Sequence, residues 1–151
     1  CSIFDILYGQ YAEERKKFIQ TRVSISQYES ENIMFALLEQ IVSMPEWNHI
    51  GIMPQYPLRL LVKSDILLTE SEKAYANRSW TLVDFVLYNK TTKHPILAIE
   101  VDGMAFHQVG SEQAKRDELK NSILDKAGIP LLRLTTDGSN EKNKIINALS
   151  R

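Results

Sequence analysis

Two apolar runs separated by seven residues constrain this chain more than any other feature. Thr81-Leu82-Val83-Asp84-Phe85-Val86-Leu87-Tyr88 and Ile96-Leu97-Ala98-Ile99-Glu100-Val101-Asp102 are rich in β-branched and aromatic residues and read as strands. The connecting Asn89–Pro95 is turn-like and short enough for a hairpin. Both runs are nearly continuously apolar, the pattern of strands covered on both faces. A chain that contains them must therefore place layers on two sides of a sheet.

The rest of the chain supplies those layers. Residues 10–20 are charged and helix-favouring, which predicts a solvated helix within an amino-terminal extension over 1–25. Ser26-Gln27-Tyr28-Glu29 has capping-box spacing and predicts a helix running through Met34, Leu38, Ile41 and Val42, ending before Pro45. Residues 52–62 read as a strand interrupted by prolines, hence at a sheet edge. Residues 64–79 are polar and irregular, with a short helix at Glu70–Ala76. Gly103 opens a loop, residues 112–127 form a helix, and Gly128 sits where a C′ glycine belongs, with Pro130 just beyond. Residues 131–134 form a strand parallel to 96–102, because a helix crosses between them. A last helix covers 141–150. The order α, β, β, β, α, β, α predicts an α/β domain over 26–151 with a central mixed β-sheet flanked by helices.

Composition sets the outer limits. With 151 residues, 44% hydrophobic and 25% charged, the chain has material for one core, and a single cysteine excludes a disulfide scaffold. Cys1 has no nearby His or Cys, so it is not a plausible nucleophile or zinc ligand. No apolar run approaches the roughly 20 residues that span a bilayer, and no signal peptide opens the sequence. The expectation is a cytoplasmic segment of a longer protein, with no membrane partner. Eighteen Lys+Arg against 19 Asp+Glu mean that any contact with nucleic acid must come from a local patch.

The informative residues are charges standing where apolar residues belong. Asp84 interrupts one strand; Glu100 and Asp102 end the next, and period-2 geometry puts both on one face. Three neighbouring carboxylates are costly to bury without a compensating cation, and a hard divalent metal is the usual one. Glu31 falls within the apolar face of its helix. In the helix at 112–127, Gln113, Arg116 and Lys120 share the face of Leu119, Ile123 and Leu124, whereas Glu118, Ser122 and Asp125 point outward. Each has a plainer reading. Asp84 can cap a strand end, Glu100 and Asp102 can be solvated, and Glu31 suits the first turn of a helix. Arg116 and Lys120 can snorkel. His107 reads as an ordinary loop histidine; Asp65, Arg133, Trp47, Tyr56 and Trp80 read as structural.

The ordered series of Glu31, Asp84 in Val-Asp-Phe-Val, Glu100-Val101-Asp102-Gly103 leading to His107, Gln113 to Lys120, and Gly128-Ile129-Pro130 with Arg133 resembles the PD-(D/E)XK superfamily of restriction-endonuclease-like nucleases. It is closest to the very-short-patch-repair-like branch with a Glu-x-Asp-Gly motif, often attached to helicases. The resemblance spans roughly residues 26–135 and implies an αβββαβ core and a metal-dependent DNA endonuclease domain, hydrolysing phosphodiester bonds in a repair, restriction or helicase protein. It implies Mg²⁺ or Mn²⁺ as cofactor, and DNA and the parent chain's other domains as partners. Asp84 and Glu100 would bind the metal, with Asp102 and the Val101 carbonyl as further ligands, and Glu31 would hold a metal-bound water or a second ion. Gln113 and Arg116 would position substrate phosphate, and His107 would act as general acid or phosphate contact. Asp102 stands where the superfamily's name calls for Lys, a departure that the Glu-x-Asp-Gly branch tolerates, and Lys120 or Lys115 from the next helix could supply the missing charge. The alternative is a catalytically inactive nuclease-like module for DNA or protein binding. A third reading is another α/β metal enzyme such as a phosphatase; the chain lacks the Gly-rich phosphate loop expected of one.

Overall fold

The computed structural model describes residues 28–102, 110–138 and 140–151. From the amino end its elements are α1 (Glu29–Val42), β1 (Ile50–Pro57), a 3₁₀ turn (Leu58–Leu61), α2 (Glu70–Ala76), β2 (Leu82–Asn89), β3 (Pro95–Val101), α3 (Glu112–Lys126), β4 (Leu131–Leu134) and α4 (Glu141–Leu149). Over the described residues the chain is an α/β structure whose four strands form one mixed sheet in the order β1-β2-β3-β4. β1 and β3 flank β2 antiparallel, and β4 joins β3 in parallel after the α3 crossover.

The two apolar runs form the central strands, as their continuous hydrophobicity requires. On one face Phe85, Leu87, Leu97 and Ile99 pack against Met34, Leu38 and Ile41 of α1 and Ile145 and Leu149 of α4. On the other, Val86 and Ala98 pack against Tyr75 and Ala76 of α2 and Ile123 and Leu124 of α3. Among the described residues, no helix is long and apolar enough to cross a membrane.

Three local expectations need correction. The capping box at Ser26–Glu29 does not set the start of α1: Glu29 is its first residue, Tyr28 stands at the N-cap in extended conformation, and no side chain caps it. Ser26, like the extension at 1–25, lies outside the described residues. Glu29 and Glu31 in the first turn oppose the positive end of the helix dipole. The strand expected over 52–62 ends at Pro57, where Leu58 turns inward and is buried in the 3₁₀ turn. Ser122 does not point to solvent. Its hydroxyl donates to Glu72 Oε2 at 2.6 Å, because α2 packs against α3 on a side that a sheet-facing periodicity does not register.

At α3 the expected stops are in place. Ser111 caps the amino end by accepting from Ala114 N, and Gly128 follows the helix with φ +75, the left-handed conformation that favours glycine. Glu72 joins α2 to α3. It closes the Thr69 capping box and also accepts from Ser122 and from Lys126 Nζ at 2.6 Å. These donors, led by Lys126, hold its carboxyl down at about 2, below the ordinary 4.5. The folded carboxyl therefore gives up its proton more readily than the unfolded one, and its stabilisation is present above pH 4.5 and is lost as pH falls towards 2. Glu72→Gln is expected to lower stability by about 2 kcal/mol at neutral pH. The gap from wild type should shrink in thermal melts taken between pH 4 and pH 2.

Candidate functional site

The sheet presents its acidic residues at one end, where β2 begins and β3 and β4 finish. Phe85 pairs with Ile99, and one step further the ladder opens. There side chains replace backbone partners: Asp84 N donates to Glu100 Oε2 at 3.0 Å, and Val101 N donates to Asp84 Oδ2 at 2.8 Å. Each carboxylate thus clasps the other strand. Glu100 is only 5% exposed and Asp84 is partly buried. Lys120, two turns into α3, reaches this end of the sheet. Its Nζ donates to Leu82 O at 2.9 Å and is also paired with Glu100 Oε1.

Burial first, then the neighbouring Glu100 carboxylate, push Asp84 up to about 8; the Val101 N–H pulls the other way and Glu31 adds a smaller rise. Without a cation the acidic pair therefore holds a proton near neutral pH.

Glu31 enters from α1 and is 7% exposed. Its Oε1 accepts from Gln55 Nε2 at 2.5 Å, which links the helix to β1 beside the β2 end that carries Asp84. Asp102 takes a different direction. Its Oδ1 lies 3.8 Å from Arg133 Nη1, and that guanidinium also meets Asp117 Oδ1 at 3.4 Å and donates to Asn121 Oδ1 at 2.8 Å. Arg133, one step from Glu100 across the parallel β3–β4 register, ties Asp102 to α3.

The structure therefore brings Asp84, Glu100 and Lys120 into direct contact and sets Glu31 near them. Val101 enters through its N–H. Gln113 is partly buried and bonds Asp117, whereas Arg116 is exposed and donates to Gln113 Oε1. The inward projection expected for Arg116 does not hold: its guanidinium turns back along the exposed side of α3 to Gln113 Oε1. His107 lies outside the described residues. Sequence reasoning passed over Gln55 and left Arg133 as structural. A basic residue inside the apolar Leu131–Leu134 strand was the available signal for the second.

The donor set suits a hard cation of limited appetite. Asp84 and Glu100 present carboxylate oxygens, and Mg²⁺ binds through one or two carboxylates while keeping several waters. The proton that Asp84 retains marks excess negative charge that a cation would relieve. Among the described residues, no three His, Cys, Asp or Glu side chains converge to hold an ion. The residues fit an ion on a carboxylate pair and do not fit a cage. The end of the sheet chosen is the one at which β3 and β4 finish, where α/β sheets place ligands.

No curated protein and no solved structure matches the chain. Residues 24–151 match the family model described as "Protein of unknown function (DUF2726)", and the chain belongs to that family.

Proposed function

We propose that this chain is a metal-dependent nuclease domain of the restriction-endonuclease-like, PD-(D/E)XK type, acting on DNA phosphodiester bonds within a longer DNA-processing protein. One observation carries the reading. Asp84, Glu100 and Lys120 come from two strands and the following helix and meet where β3 ends. A lysine thus stands beside the acidic pair although the strand itself offers Asp102 at the expected position.

Bound Mg²⁺ or Mn²⁺ supplies Lewis acidity and charge neutralisation at the scissile phosphate. Asp84 and Glu100 would hold it, with Asp84 in its ionised form. Lys120, held by Leu82 O and Glu100, would present an N–H donor where negative charge develops. Gln113, Arg116 and Arg133 form a polar strip along α3 and β4 that supplies donors for a phosphate backbone.

One feature favours the inactive binding module instead: Lys120 already engages a Glu100 oxygen, and Asp102 is engaged by Arg133. Cleavage of end-labelled single- and double-stranded DNA with Mg²⁺ or Mn²⁺, beside Asp84→Ala, separates the two. Metal-dependent cleavage that disappears in the variant supports the nuclease. Metal-independent DNA binding without cleavage supports the module.

A further inference from the structure

Gln55 has a backbone that its surroundings do not explain. It lies in mid-strand, bracketed by the Pro54–Phe85 and Tyr56–Val83 pairs and so opposite Asp84, yet its φ is +52. Left-handed backbone disfavours every residue with a β-carbon and is ordinarily left to glycine, or to Asn and Asp in turns. Here no turn follows, since the strand continues in register on both sides. Conformations of this kind persist where the surrounding structure holds them and gather at functional sites. The side chain shows what the conformation achieves. Its carboxamide donates to Oε1 of the buried Glu31 at 2.5 Å, bridging β1 and α1 across 24 residues of sequence.

We propose that Gln55 is a positioning residue of the acidic site: its left-handed backbone turns the carboxamide onto Glu31 and fixes that carboxylate beside Asp84, as an outer acceptor for water bound to the cation. The inference rests on the nuclease reading for the existence of the cation site. Glu31 takes the outer place because no three acidic side chains among the described residues come close enough to share an ion. An amide suits the task better than a second carboxylate, since it donates to Glu31 without adding negative charge beside Asp84.

Gln55→Gly separates strain from function, because glycine accepts the backbone and removes the amide. The metal-free variant is expected to fold, with a melting temperature set by the relieved backbone strain against the hydrogen bond lost from Glu31. Its apparent affinity for Mn²⁺, read from the metal-dependent rise in melting temperature, is expected to weaken about 10-fold or more, the usual result of removing a ligand's outer partner. Gln55→Asn, which tolerates the backbone but is one methylene short, should weaken affinity similarly while keeping the fold. The double variant Gln55→Gly/Glu31→Gln should bind no more weakly than Glu31→Gln alone. Unchanged affinity in Gln55→Gly overturns the proposal, as does a fall in melting temperature with affinity intact, which would make Gln55 a packing residue. Additive losses in the double variant overturn the route through Glu31. A wild-type chain that does not respond to Mn²⁺ or Mg²⁺ overturns the nuclease reading and this inference together, whereas a normal wild-type response with an indifferent Gln55 overturns this inference alone.

Discussion

Asp84→Asn is expected to make the metal-free protein more stable at alkaline pH while removing its response to divalent metal. An asparagine reproduces the protonated aspartate: its amide donates towards Glu100 and its carbonyl oxygen still accepts from Val101 N. The wild-type side chain is held at about 8 when folded against 3.8 as the ordinary value. Between those limits the folded state binds a proton that the unfolded state has released. The stabilisation linked to that proton is complete below pH 3.8 and is lost as pH rises through 8. Wild-type melting temperature should therefore decline between pH 5 and pH 8, with a slope that the variant lacks, and level off above pH 8. Saturating Mg²⁺ should reverse the decline in wild type alone, because the cation takes the place of the proton. DNA cleavage should fall by about 10³-fold or more, the rate equivalent of the several kcal/mol that a Lewis-acid metal supplies. A slope that survives in Asp84→Asn would assign the titration to another group.

Lys120→Met tests the other half of the site and, unlike Asp84→Asn, should lower stability. The substitution keeps the length of the stem but strips Glu100 and the Leu82 carbonyl of their shared donor. Both Lys120 and Glu100 have little side-chain exposure, so removing one partner leaves a nearly buried charge without its cation, at a cost of about 3 kcal/mol. That corresponds to a melting-temperature drop of about 9 °C for a domain of this size. Divalent metal should recover much of the drop, since the Glu100 oxygen released by Lys120 becomes available as a ligand. The metal-induced rise should thus be greater in Lys120→Met than in wild type, although cleavage is lost. If the lysine serves structure alone, metal will not narrow the gap and cleavage will fall only in proportion to the folded fraction.

The hairpin was legible because it breaks its own pattern. Runs of apolar residues fix β2 and β3, and the few charges among them, Asp84 and Glu100, become conspicuous by contrast. Parallel pairing of β4 followed from the intervening helix, and Gly128 marked where that helix stops. Lys120 was legible because the same period that buries Ile123 and Leu124 carries it inward one turn earlier. Gln55 was not, for a physical reason. Its role depends on the β1–β2 register and on a backbone dihedral angle, and neither leaves a mark on residue type. Ser122 and Glu72 were hidden by a different limit: one helical period describes a helix packed on one side, and α3 is packed on two. The start of α1 was misplaced because a capping-box spacing recurs by chance among polar residues, and here the dipole-matched Glu29 and Glu31 open the helix without a side-chain cap.

The borders of the sheet bear on how two copies of this chain could meet. Among the described residues, β1 lies on one border and carries Pro54 and Pro57, two residues with no amide hydrogen to offer an incoming strand. β4 lies on the other and is only four residues long. Proline-bearing and very short border strands resist growth of the sheet from one molecule into the next. On the nuclease reading, cutting both strands of a duplex would call for two sites of opposite polarity, and the borders of this sheet are poorly built to join them. Such a pairing would have to form through helices or loops, or be replaced by two successive nicks from a single copy.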